Sequence, residues 1–245
     1  GKRTTLFSGV ITTVDISCRE DVYSVAIEGL SWSSLLDYGE KCRSFPDGKE
    51  ICAKIISEVL SAYEKSYFMD ADHLARQETG QLLLQYRETD WAFLRRLATQ
   101  LHTHLTADTT GDGPGFWFGL PKNRRKIASV GEVVLEKDMD AYYEAAASGF
   151  PVKEEQFVRY RIRSSVRLGL GAMTEYEGRP LIVAESCMVL RQGVLQYHYV
   201  LAAEPSLIVS RKNNPYIQGI SLQGEVLDRR NRQLKVRLQT DGATE

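Results

Sequence analysis

Two carboxylates near the middle of the chain have the residue type and spacing for acid–base chemistry. Glu88 and Asp90 lie two residues apart, and a glycoside hydrolase such as a muramidase works with a pair of carboxylates. Neighbouring side chains at the start of a helix point in different directions, so these two suit a helix cap or an ion pair with Arg87 or Arg95 better. The sequence favours the structural use and leaves catalysis as the alternative.

The histidines offer weak metal chemistry. His102 and His104 could share one face of a strand, as two ligands of one ion do, but no third ligand follows nearby in the sequence. His198 lies between Tyr197 and Tyr199 in an apolar stretch, which is typical of a packed or hydrogen-bonded histidine. We therefore predict no metal site and no catalytic residue.

Cofactor motifs are also missing from the sequence. Gly169 and Gly171 form a Gly-x-Gly without a following helical pattern, which does not support a dinucleotide loop. The four cysteines are scattered and form no Cys-x-x-Cys pair; they are Cys18, Cys42, Cys52 and Cys187. We expect free thiols in a reducing compartment and no cofactor.

Composition and charge exclude several classes of protein. The chain has 245 residues, 43% of them hydrophobic, with 31 Lys and Arg against 32 Asp and Glu and a net charge of −1. This balance argues against nucleic acid as the main partner, and the basic run at residues 121–126 is predicted to be a solvated loop. The sequence contains no apolar run of about 18 residues, so we expect no membrane insertion by this segment.

The strongest local pattern runs through residues 85–101. It begins with extended residues and continues as a helix, with Thr89 as a candidate cap and Asp90 in the first turn. The apolar residues recur at helical spacing and predict the buried face; they are Phe93, Leu94, Leu97 and Leu101. Tyr86 and Trp91 are predicted to be core residues.

Helical burial does not require the fixed order of polar residues in this stretch. Gln-Tyr-Arg-Glu-Thr-Asp followed by an aromatic-Leu-x-Arg-Leu run resembles the signature of the contractile injection system hub family. That family includes phage late control protein D, the tail hubs of R-type bacteriocins and the VgrG spike proteins of type VI secretion. The motif residues are Gln85, Tyr86, Arg87, Glu88, Thr89, Asp90, Trp91, Phe93, Leu94, Arg96 and Leu97.

The resemblance implies a mainly β fold with an α+β insertion. It implies two small antiparallel β-barrels like those of a tail tube, followed by the start of an oligonucleotide/oligosaccharide-binding (OB) fold. Residues 1–37 would then be the last strands of the first hub barrel, 38–104 the insertion with the central helix, 105–215 the second barrel and 216–245 the beginning of the OB-fold. In the family, strands precede the first hairpin, so this chain is expected to be a fragment.

Periodicity in the first half agrees with that layout. Residues 6–16 and 23–27 alternate on either side of a polar turn, which predicts a hairpin with one buried face. A helix is predicted at residues 49–63 and a loop with one short strand at 64–80.

The second half reads as β structure. A strand at 132–137 and a helix at 138–148 precede strands predicted at 157–163, 166–171, 181–190 and 194–202. Arg159, Arg161 and Arg163 should share the wet face of their strand, as a solvated face or as the lining of a pore or subunit contact. A last hairpin is predicted at 222–226 and 234–238.

The function that the resemblance implies is structural. Three copies would form a collar that joins the hexameric inner tube to the trimeric spike, with the inner tube protein, the spike tip and baseplate proteins as partners. Such a part would assemble in the cytoplasm and leave it in a phage tail, a bacteriocin particle or a secretion apparatus. The alternative is a tail-associated cell-wall hydrolase, and the branch of the family stays open.

The two-barrel layout also predicts an internal pseudo-repeat. The hairpin at residues 6–28 and the hairpin at 181–202 share a long alternating strand, a tight turn and a second strand with aromatic residues. We expect them to occupy equivalent positions in two similar barrels, with Tyr23 and Tyr197 facing the core.

Overall fold

The computed structural model describes residues 4–124, 132–231 and 233–238. The fold is mainly β, as predicted. The chain divides into two compact units. The first comprises Gly1–Gln100, Ala107–Phe118 and Lys212–Glu245, and the second comprises Leu101–Thr106 and Gly119–Arg211.

The first unit begins with the predicted hairpin. Strands β1 (Gly9–Arg19) and β2 (Val22–Ser31) pair antiparallel. Glu20 and Asp21 form the two-residue turn with φ of 49° and 61°, the left-handed conformation that matches the twist of a tight hairpin. The register shifts between Ile11 and Thr13, which leaves Thr12 as a β-bulge.

The buried face predicted for this hairpin is wrong. Val14 and Ile16 lie opposite Ile27 and Val25, so the apolar side chains do share one face. All four are more than half exposed, and Tyr23, expected to face a core, is 73% exposed. The reason is that β1 and β2 form a two-stranded sheet on their own, and alternation predicts which face is apolar but not whether another element covers it.

The next part of the first unit mixes short strands and helices. A 3₁₀ turn at Trp32–Asp37 comes first. The elements that follow are β3 (Lys41–Phe45), α1 (Cys52–Leu60), β4 (Tyr67–Asp70), a 3₁₀ turn (Ala71–Arg76), β5 (Leu83–Glu88) and α2 (Asp90–Gln100). The helix predicted at 49–63 and the strand predicted within 64–80 are confirmed, with shorter bounds for the helix.

Helix α2 forms the centre of this packing, as its apolar spacing predicts. Phe93, Leu94 and Leu97 are buried, and the ring of Phe93 stacks on Phe45 of β3 with centroids 5.3 Å apart. Strand β3 pairs antiparallel with β5, the strand that leads into α2. Trp91 is half-buried at the rim of the core, where its ring meets that of Phe116 edge-on.

The strands β6 (Leu105–Ala107) and β7 (Gly115–Phe118) follow α2. Strand β7 pairs parallel with β4 in the first unit, with Phe116 opposite Phe68. No helix among the described residues is long and apolar enough to span a membrane.

The described part of the second unit contains a five-stranded antiparallel sheet, one α-helix and two short 3₁₀ helices, Glu154–Phe157 and Glu204–Leu207. Its elements are β8 (Val133–Lys137), α3 (Met139–Ala147), β9 (Val158–Ser164), β10 (Met173–Tyr176), β11 (Arg179–Arg191) and β12 (Val194–Ala202). The strand order is β10-β11-β12-β9-β8. Tyr160, Ile162, Leu168, Val183 and Tyr199 belong to its buried core.

One strand predicted for this unit does not form. Residues 166–171 are irregular, and the hydroxyl of Tyr199 donates to the carbonyl of Val166 and accepts from the N–H of Leu168. Side chain and backbone therefore hold this segment over the sheet, and β10, which was not predicted, supplies the edge strand.

The alternation of β9 is confirmed. Tyr160 and Ile162 are buried, while Arg161 pairs with Glu136 on β8 and Arg159 pairs with Asp138. Arg163 is exposed on the same face. These contacts describe a charged sheet face, and a pore or subunit contact stays a hypothesis.

The last described elements are β13 (Gly224–Arg230) and β14 (Gln233–Leu238), an antiparallel hairpin in the first unit. The predicted hairpin is confirmed with its first strand shifted toward the turn.

Truncating the core of α2 should destabilise the protein. Leu97 is 1% exposed, so Leu97→Ala should lower the free energy of unfolding by about 2 to 5 kcal/mol through lost burial and a residual cavity. Urea denaturation measures this. Leu82→Ala is the matched control, because Leu82 is 53% exposed. Equal shifts of the two midpoints would contradict the role of α2 as a core helix.

Candidate functional site

The motif surrounds a buried carboxylate. The side chain of Asp90 is fully buried at the start of α2 and accepts hydrogen bonds from Lys41 Nζ at 2.6 Å and Tyr63 OH at 2.7 Å. Arg43 forms a second ion pair with it. A buried charge is tolerated only where cations and donors satisfy it, which is the case here.

Gln85 completes this network from β5. Its Nε2 donates to Asp90 Oδ1 and to the carbonyl of Glu88, both at 2.9 Å. Its Oε1 accepts from Arg43 Nε at 2.9 Å. Because Gln85 is itself buried, each polar atom of the side chain has a partner, and the amide links β3, β5 and α2.

The network shifts the pKa values of Asp90 and Lys41. Burial alone would raise the pKa of the Asp90 carboxyl, but hydrogen bonds from Lys41, Gln85 and Tyr63 and the charge of Arg43 lower it below the ordinary value. Burial would lower the pKa of Lys41, whereas Asp90 and Tyr63 raise it. Both groups are therefore held in their charged forms.

Glu88 forms a separate ion pair with Arg96. Arg96 donates to it through Nε at 2.8 Å and Nη2 at 2.7 Å, and the same Nη2 reaches the carbonyl of Leu84 at 2.8 Å. The predicted partners were Arg87 and Arg95, so that prediction is wrong. Arg96 lies two turns into α2 on the face that returns toward β5, whereas Arg95 is exposed and Arg87 contacts Glu40.

The remaining motif residues shape the start of α2. Thr89 caps the helix as predicted, since its Oγ1 accepts from the N–H of Ala92 at 3.1 Å and donates to Asp37 at 2.5 Å. The guanidinium of Arg96 lies over the ring of Phe93 at 5.4 Å. Tyr86 is half-buried, and its carbonyl accepts from Asn214.

This geometry does not suit acid–base catalysis by Glu88 and Asp90. Asp90 is closed off by four donors, and Glu88, which is 8% exposed, is held by a bidentate arginine. Neither carboxylate is exposed enough for a polysaccharide to reach it.

The other candidate residues contact the backbone or lie apart. His102 Nδ1 is 3.0 Å from the carbonyl of Val209, and His104 Nε2 is 2.6 Å from that of Leu207. His198 lies opposite Cys187 in the second unit. Within the described ranges, no group of three His, Cys, Asp or Glu residues could hold a metal ion.

The cysteines and the basic run have ordinary surroundings. All four cysteines are free thiols, and burial raises the pKa of Cys52 to about 11. Lys122 forms an ion pair with Glu204 at 2.8 Å. Arg125 and Lys126 of the predicted basic loop lie outside the described residues.

Sequence reasoning missed three members of the network, Lys41, Arg43 and Tyr63. The signal for two of them was available, because Lys41 and Arg43 are two residues apart in a short strand and so share a face. Their partner is far away in sequence, and no local pattern points to it.

Removing the buried charge should change stability and its pH dependence. A carboxylate with a lowered folded-state pKa stabilises the protein above its unfolded pKa of about 3.9, and this contribution is lost as the pH falls through the folded value. Asp90→Asn should cost about 3 to 5 kcal/mol at neutral pH, since it leaves two half-buried cations, Lys41 and Arg43, without their counter-ion.

The measurement is the free energy of unfolding between pH 2 and 7. The wild type should lose stability below about pH 4, and Asp90→Asn should lack that part of the slope. Asp15→Asn, at an exposed carboxylate of β1, is the matched control and should keep the wild-type profile. An unchanged slope in Asp90→Asn would contradict the network.

Residues 1–101, which contain the whole motif, match the family model described as phage tail baseplate hub (GPD). No curated protein matches the chain in sequence.

Several solved structures share the fold at low identity. A 43 kDa tail protein of prophage MuSo2 from Shewanella oneidensis matches with a TM-score of 0.64 and 10% identity, covering 85% of this chain and 79% of that one. A tail protein from Neisseria meningitidis MC58 matches with a TM-score of 0.60 and 8% identity, covering 81% and 80%.

A third similar structure is the E. coli c3393 protein, a component of the type VI secretion system with structural similarity to T4 bacteriophage tail proteins gp27 and gp5. The TM-score is 0.58 with 12% identity, and 84% of this chain is covered. The match spans 62% of the E. coli chain, less than two thirds of it. The resemblance predicted from the motif is therefore confirmed: residues 1–101 match the phage tail baseplate hub family, and the fold is that of phage tail and type VI secretion tail proteins.

Proposed function

We propose that this chain is part of a structural baseplate hub, three copies of which form a collar between a hexameric inner tube and a trimeric spike. The family match over residues 1–101 and the tail-protein fold support the hub assignment. The trimer and its partners are what the resemblance to that family implies, and the equivalence of two hairpins in the chain supports the two-barrel layout on which the trimer depends.

The β1–β2 and β11–β12 hairpins have the same construction. Each carries one bulge in its first strand, at Thr12 and at Ala184, with the flanking pairs Ile11–Gly29 and Thr13–Glu28 matching Val183–Leu201 and Glu185–Val200. Each closes with a two-residue turn in the left-handed conformation, Glu20–Asp21 and Gln192–Gly193. The same number of residues separates every pair of equivalent positions, which supports the predicted pseudo-repeat.

The equivalent faces differ in how they are covered. Tyr197 and Tyr199 of β12 are buried against the core of the second unit. Their equivalents on β2, Val25 and Ile27, are exposed. A contiguous apolar sheet face that is left open is a surface for association. In our proposal, assembly of the hub covers this face.

Two barrel-like units in each of three subunits would present six similar elements to a six-fold tube. Residues 1–37 would then complete the first barrel, 38–104 form the insertion, and 105–215 form the second barrel. Residues 216–245 would begin an OB-fold, as the resemblance implies. Among the described residues, β13 is exposed along its whole length and pairs only with β14, which leaves its other edge available for such a fold.

The proposed role of the motif is to hold the insertion together, with Gln85, Glu88 and Asp90 fixing β3, β5 and α2. The proposed partners are the inner tube protein, the spike tip and other baseplate proteins. The hub would assemble in the cytoplasm and function within a phage tail or a type VI-like apparatus. A structural role suits Glu88 and Asp90, because both carboxylates are ion-paired with neighbouring cations.

The oligomeric state tests this proposal. Light scattering of the full-length protein at micromolar concentration should give the mass of a homotrimer, because a permanent hub should bury more than about 2,000 Å² per interface. A monodisperse monomer would overturn the assignment. Peptidoglycan lysis by the same preparation would instead favour the cell-wall hydrolase.

A pair of variants tests the apolar face itself. Ile16→Glu places a charge on the apolar face of β1, whereas Ser17→Glu places the same charge on the opposite face. We expect a lower trimer fraction in Ile16→Glu and the wild-type fraction in Ser17→Glu, with circular dichroism to verify that both are folded. Equal trimer fractions in two folded variants would count against coverage of this face.

A further inference from the structure

Residues 212–217, here called the strap, cross the end of α2 within the first unit. The N–H of Lys212 donates to Thr99 Oγ1 at 3.1 Å, and the carbonyl of Lys212 accepts from Gln100 Nε2 at 3.2 Å. Both partners lie in the last turn of α2. The backbone of the strap is thereby hydrogen-bonded to two side chains at the end of α2.

Asn214 fixes the middle of the strap. Its side chain is 6% exposed, Nδ2 donates to the carbonyl of Tyr86 at 2.8 Å, and Oδ1 accepts from the N–H of Tyr216 at 2.8 Å. The neighbouring Asn213 is exposed. A buried amide that loses its partners costs much more than an exposed one, so Asn214 holds the strap in one place.

The strap contacts the motif at a β-bulge. The register of β3 and β5 passes from Cys42–Tyr86 to Lys41–Glu88 and skips Arg87, whose φ is 50°. The guanidinium of Arg87 lies over the ring of Tyr216 at 5.6 Å. Tyr86 and Arg87 thus contact the strap with a carbonyl and a cation, and neither side chain takes part in the buried network around Asp90.

We propose that the strap is a latch that fixes the direction in which the chain leaves the motif toward the β13–β14 hairpin, with Tyr86 and Arg87 as its positioning residues. Residues 218–223 after the strap have no helix or strand, and β13 is exposed along its whole length. Among the described residues, the strap is therefore the last segment before the hairpin that is hydrogen-bonded to α2 and β5, so its position sets where the chain sets out toward the hairpin. This inference goes beyond the hub function and does not require the trimer.

Hydrogen–deuterium exchange on the whole chain tests the latch. In the wild type, peptides covering residues 212–217 should be protected. Asn214→Ala should speed their exchange roughly tenfold or more, the factor expected for a lost buried hydrogen bond, and should leave α2 protected. Asn213→Ala is the matched control and should exchange like the wild type. Equal rates in Asn214→Ala and the wild type would overturn the proposal.

A distance measurement tests orientation directly. Fluorescent labels on unnatural amino acids at Lys54 and Arg229, both exposed, should give a narrow distance distribution in the wild type and a broader one in Asn214→Ala. If Asn214→Ala also unfolds α2, Tyr216→Ala decides, because Tyr216 is 52% exposed and its loss removes only the ring beneath Arg87. A distribution of unchanged width in Tyr216→Ala would refute the latch.

Discussion

The arrangement of strands and helices in the first unit depends on one carboxylate, that of Asp90, which has no access to water. Asp90 stands where β3, β5, the end of α1 and the start of α2 converge, and it is stabilised only because Lys41, Arg43, Tyr63 and Gln85 all reach it. Removing one partner from such a cluster costs more than the contact contributed, because the remaining charges stay buried. The elements around α2 are therefore fixed relative to one another by electrostatics as well as by apolar packing.

This constraint explains why the motif has a fixed order of polar residues. Alternation along β5 directs Gln85 inward and leaves Tyr86 half-buried, and the bulge at Arg87 changes the phase so that Glu88 also points inward. Thr89 then caps α2 and Asp90 enters the network. An amphipathic helix alone would tolerate many other sequences at these positions. The ion pairs and the bulge do not.

Local patterns predicted most of the elements, and non-local partners account for most of the errors. The helix at Asp90–Gln100 and the hairpins were predictable because caps, apolar spacing and two-residue turns depend only on residues that are close together in the sequence. Residues 166–171 alternate like a strand, yet the hydroxyl of Tyr199 holds them as an irregular segment. The cations that neutralise Asp90 come from a strand more than forty residues earlier, and the exposure of Val25 and Ile27 depends on what lies against them.

The long sequence separations in the Asp90 network also bear on how the protein folds. The cap of α2 joins residues three apart, whereas the pairs of Asp90 with Lys41 and Arg43 join residues 49 and 47 apart. Closing such loops costs chain entropy before the contact forms, so helix formation should precede assembly of the charge cluster. Contacts that form after the transition state affect the unfolding rate more than the folding rate. The ion pairs of Asp90 would then slow the unfolding of the insertion more than they speed its folding.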